Sequence, residues 1–69
     1  MARIEIPKQS LRWLVGRLHV GTPDSEVEAD IRRRCSTATE AQRNACVKYA
    51  LKCHAENRNL YSRVVSGRI

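Results

Sequence analysis

The sequence predicts an all-α domain in which two short helices pack on a long C-terminal helix, preceded by a short extended arm. Three observations carry this. Apolar residues recur at helical spacing from Leu11 onward. Helix-start signals stand at "TPDSE", residues 22–26, and in "CSTATEAQ", residues 35–42. After the second signal no proline or glycine interrupts the chain until Gly67.

The arm is Ala2 to Ile6, "ARIEI", where apolar and charged residues alternate up to Pro7. That pattern suits an extended segment or edge strand better than a helix. From about Pro7, Leu11, Leu14, Val15 and Leu18 fall at i, i+3, i+4 and i+7 and give a first helix ending near Val20 and Gly21, with Lys8 and Arg12 on its wet side. Trp13 sits beside this stripe and is expected to cover the edge of the core.

A second helix starts with Thr22 as N-cap and Pro23 at the first helical position, where the missing N–H costs nothing. Asp24, Glu26 and Glu28 occupy its first turns and Arg32, Arg33 and Arg34 its last. That order complements the helix dipole and sets Glu28 against Arg32 and Asp30 against Arg34 at i, i+4. Val27, Ile31 and Cys35 form its apolar stripe.

Capping-box spacing at Thr37 with Glu40, or at Thr39 with Gln42, opens a third helix of about 26 residues, roughly 39 Å long. Two neighbouring stripes run along it: Cys46, Ala50, Cys53, Leu60 and Val64, then Val47, Leu51, His54, Tyr61 and Val65. The first two helices, about 13 residues or roughly 20 Å each, are too short to cover it. Leu60, Tyr61, Val64 and Val65 are therefore expected to form an oligomer interface, a symmetric second copy being the commonest cover. A break at "ENRN", residues 56–59, folding the last turns back, is the alternative.

Composition narrows the function classes. A chain of 69 residues is one domain with a small core. The N-terminus "MARIEIPKQS" has no basic region followed by a long apolar run, and no stretch approaches the roughly 20 apolar residues of a membrane span, so a cytoplasmic protein without a membrane partner is expected. Cys35, Cys46 and Cys53, an odd number, read as reduced thiols. The formal charge is +6 and ten of the thirteen cationic residues are arginine, the side chain best suited to phosphate.

Few residues suggest chemistry. The three cysteines and His54 lack the C-x2-4-C knuckles of structural zinc sites, and Cys53 and His54 point about 100° apart on a helix. They read as core residues, with His54 partly buried and His19 at a helix end. No phosphate loop, carboxylate pair or nucleophile with a base is present, so neither enzymatic activity, nor a metal, nor a cofactor is expected.

"RIEIP", a helix and then "GTPDSEVEADI" resemble in outline the ribbon–helix–helix repressors over residues 3–35, and the Gly-Thr turn between helices has the outline of a helix-turn-helix. Either resemblance implies DNA binding, but a recognition helix presents its N-terminal residues to the major groove. Here that end carries Asp24, Glu26, Glu28 and Asp30, which phosphates repel. Phosphate binding without base readout needs only cations on one face. The candidates are Arg32, Arg33 and Arg34 together with Arg43, Lys48, Lys52, Arg58 and Arg63. The expected function is an oligomeric basic binding protein for a phosphate-rich ligand, foremost nucleic acid. The alternative is a protein-binding adaptor or inhibitor of the kind found in phages and mobile elements, or one holding a small phosphorylated ligand between subunits.

Overall fold

The computed structural model describes residues 5–67 and contains three helices: α1 (Lys8–Gly16), α2 (Asp24–Arg34) and α3 (Glu40–Gly67). Among the described residues there is no strand. The predicted arm lies mostly outside them, and residues 5–7 are non-helical. Gln42 Nε2 donates to the Glu5 carbonyl at 3.2 Å, which ties this entry segment to the start of α3.

Hydrogen bonds fix the layout. From the level of Gln42 the chain climbs α3 along α1, and the α1–α2 turn is held at its crest where His54 Nε2 meets the Thr22 carbonyl at 2.8 Å. Since a carbonyl only accepts, that ring nitrogen carries the proton. Helix α2 then descends, from Asp24 paired with Arg58 to Arg32 bonded to Asn44.

Two boundaries differ from the sequence expectation. α1 ends at Gly16, not near Gly21, because the chain tightens into i→i+3 bonds, Arg17 N–H to Leu14 O and Leu18 N–H to Val15 O. His19 then accepts the Gly21 N–H on Nδ1 at 2.9 Å. The second difference is at α2, whose N-cap is Pro23 (φ −62°, ψ 147°), not Thr22. The Pro23 carbonyl takes the first helical bonds, from Glu26 and Val27 N–H, while Thr22 spends its carbonyl on His54. At α3 the Thr39–Gln42 alternative holds in half: Thr39 Oγ1 caps the Gln42 N–H at 3.2 Å, but the Gln42 side chain reaches Glu5.

The core comprises Leu11, Val15, Val27, Ile31, Cys46, Val47, Ala50 and Cys53, with Ile6, Leu18, Cys35, Tyr49 and Leu51 packed at its edge. Fully burying a side chain such as Ile31 contributes about 1.5–3 kcal/mol. Among the described residues His54 is the buried polar one, deeper than its position on the second stripe suggested. Trp13 departs from expectation: it is exposed, and its ring carries the Arg17 guanidinium 4.7 Å from its centroid.

α3 does not break at residues 56–59. Its 28 residues span about 42 Å, in a molecule measuring 50 × 23 × 15 Å. The α1–α2 layer stops at the level of residues 54–58, and beyond it Leu60, Tyr61, Val64 and Val65 are all more than half exposed.

Candidate functional site

Two groups stand out among the described acids and cations, apart from Arg17 on Trp13 and the acids Glu5, Glu26 and Glu40, which form no ion pair among the described residues. Around α2 acid and cation neutralise one another. Arg32 Nε donates to Glu28 at 2.9 Å, and Asp30 takes Arg33 at 2.6 Å and Arg34 at 3.0 Å. Arg58 reaches Asp24 at 3.0 Å from α3. The hydrogen bond from Arg34 is the main reason the Asp30 carboxyl is held below the ordinary aspartate range, with Arg33 adding to it against the opposing effect of burial. Arg43 is also engaged: its Nη1 donates to the Ser36 carbonyl at 3.3 Å and the Ala38 carbonyl at 2.7 Å, closing the α2–α3 loop. Five of the eight cations that the sequence offered for phosphate are thus occupied by the protein itself.

Lys48, Lys52 and Arg63 are different. All three are exposed, and none forms an ion pair among the described residues. At 100° per residue they share one side of α3, with Tyr49 at its border with α1. Lys8 of α1 stands over the Tyr49 ring, 6.0 Å from its centroid, and Arg12 lies close enough to act on the phenol. The result is a face of four cations around Tyr49, Lys8, Arg12, Lys48 and Lys52, with the Glu56 carboxylate close by and Arg63 about 21 Å further along the same side of α3. Lys8 and Arg12 were visible in the sequence only as the wet side of α1. Their nearness to Tyr49 depends on how α1 packs.

Tyr49 is half-buried at the centre of this face. Desolvation pushes its phenol up, as does its hydrogen bond with the Cys53 thiol, while Arg12 pulls the other way. It therefore stays neutral and serves as a flat apolar floor between cations. Burial raises the Cys46 pKa, and so does its hydrogen bond with Cys35, the reverse of what nucleophilic attack by that thiol needs. Among the described residues no three His, Cys, Asp or Glu side chains come together as metal ligands, and no helix is long and apolar enough to cross a membrane.

Comparison with known protein families, curated proteins and solved structures returned no match.

Proposed function

We propose that the chain is a small oligomeric binding protein whose face around Tyr49 engages a phosphate-rich ligand, nucleic acid foremost. The observation that supports this best is the partition of charge. α2 and its neighbours are internally compensated, whereas Lys8, Arg12, Lys48, Lys52 and Arg63 gather on one side and are left to solvent. A surface selected only for helix stability would interleave acids at i, i+4, as α2 does. Lys48 and Lys52 instead stand four residues apart with no acid between them, and Glu56, four residues beyond Lys52, is the one acid on that face and forms no ion pair among the described residues.

Binding of this kind reads phosphates, not bases. About four phosphate contacts per protomer give a slope of log affinity against log salt near −3.6 on duplex DNA. Fluorescence anisotropy of a labelled duplex, titrated from low to moderate salt, tests it. Steeply salt-dependent binding supports the reading, and no binding at low salt removes it.

A protein partner is the second reading. It is favoured by exposed Trp13 with Arg17 stacked on it, since Trp and Arg dominate binding hot spots. An adaptor or inhibitor using that face would lose its target on Trp13→Ala while keeping any affinity for DNA.

A further inference from the structure

We infer that Cys35 and Cys46 form a redox-active thiol pair, which a small disulfide of the glutathione class oxidises to a covalent bond between the end of α2 and α3. This pair lies outside the face around Tyr49 and does not depend on the phosphate-binding reading.

The antiparallel run of α2 along α3 brings the two thiols together. Near the end of α2, Arg32 bonds Asn44 at 3.1 Å, and Arg43 reaches back to the Ser36 carbonyl at 3.3 Å. Cys35, the C-cap of α2, lies in the chain between those two ties, level with the stretch of α3 that carries Cys46. Its carbonyl accepts the Ala38 N–H at 3.0 Å, and the Ala38 carbonyl in turn accepts from Arg43 at 2.7 Å, so the loop that follows Cys35 is held in place. Cys46 belongs to the core, and Cys35 packs against that core. The two side chains meet in a hydrogen bond, sulfur to sulfur.

Helix geometry leaves the third cysteine out. Cys46 and Cys53 stand seven residues apart on one continuous helix, a rise of about 10.5 Å, whereas a disulfide needs Cα atoms within about 7 Å. Cys35, level with Cys46, is as far below Cys53. The Cys53 thiol instead bonds the Tyr49 phenol.

Exposure sets the order of reaction. Cys35 is half-buried and open to a disulfide in solution, whereas Cys46 is 1% exposed. Cys35 releases its proton to water and its sulfur attacks one glutathione sulfur; the glutathione S–S bond breaks, and one half leaves as a thiolate that takes up a proton. Cys46 then gives up its proton and its sulfur attacks that of Cys35, which expels the second glutathione as a thiol in the same way. Two protein thiols are oxidised and one glutathione disulfide is reduced to two thiols. Burial slows the attack by Cys46, but contact with the sulfur it attacks offsets this, because a step within the chain runs at high effective concentration. The product closes the loop from residue 35 to residue 46 and staples a domain whose core is small.

Trypsin places the three cysteines on separate peptides, 35–43, 44–48 and 53–58. The folded chain is equilibrated with mixtures of oxidised and reduced glutathione, alkylated, and digested without reduction for mass spectrometry. The expected result is peptide 35–43 joined to 44–48, a whole-chain mass lower by two hydrogens, and a Tm higher by about 10–20 °C. Cys53→Ala should form the same link, and Cys35→Ser should leave Cys46 as a thiol. In urea, where the register of α2 on α3 is lost, links through peptide 53–58 should appear as well. A link through 53–58 in the folded chain, glutathione retained on Cys35 without a cross-link, or no reaction until the chain unfolds would each overturn the pairing. A Cys35–Cys46 link that leaves Tm unchanged or lower would overturn its action as a staple.

Discussion

The bond from His54 to the Thr22 carbonyl is the pin that holds the α1–α2 turn to α3, and its removal has a calculable cost. His54→Leu keeps most of the side-chain volume, so the principal loss is the 2.8 Å bond and the solvation of a carbonyl left without a partner. Leaving a buried acceptor unsatisfied costs about 1–3 kcal/mol. Thr22 is half-buried, so water recovers part of this, and we expect about 1–2 kcal/mol. For a domain of this size that lowers Tm by about 4–16 °C, readable by circular dichroism at 222 nm. His54→Ala, which also opens a cavity at a fully buried position, should fall further. An unchanged Tm in His54→Leu would refute the claim that this bond anchors the turn.

Other consequences follow from the same contacts. Asp30 has a depressed carboxyl pKa, so its ion pairs with Arg33 and Arg34 stabilise the fold above the unfolded aspartate pKa near 3.9 and are lost as pH falls through the lower folded value. Urea midpoints should therefore drop on acidification toward that range, and Asp30→Asn should flatten the drop. Arg43→Ala removes two bonds to the α2–α3 loop and is expected to cost about 1–2 kcal/mol in urea denaturation, with no change in DNA affinity. Trp13→Ala should alter stability by less than about 0.5 kcal/mol, because the ring covers no core.

The helical order, the apolar stripes and the continuity of α3 were legible in the sequence because they depend on periodicity and on the absence of Pro and Gly between residue 37 and Gly67. The end of α1 was not. Leu18 keeps the helical spacing and still packs on the core, but it does so from a turn, closed by a His19–Gly21 bond that periodicity does not register. Pro23 was misplaced by one residue because the competing use of the Thr22 carbonyl comes from His54, 32 residues away. The site was legible in part. The pairings of Arg32 with Glu28 and Arg34 with Asp30 follow from i, i+4 spacing. What spacing along one helix could not show is the contact between elements that brings Lys8 and Arg12 beside Tyr49, or the one that occupies Arg58 with Asp24.

The central claim is that ion pairing separates, among the described residues, a structural set of arginines on α2 from a binding set of cations around Tyr49. Comparing the salt dependence of duplex binding for Lys48→Ala with Lys52→Ala against Arg33→Ala with Arg34→Ala tests it most directly. The account predicts that the lysine pair loses about 1.8 from the slope per protomer and the arginine pair next to nothing. The reverse order, or equal losses, would contradict it.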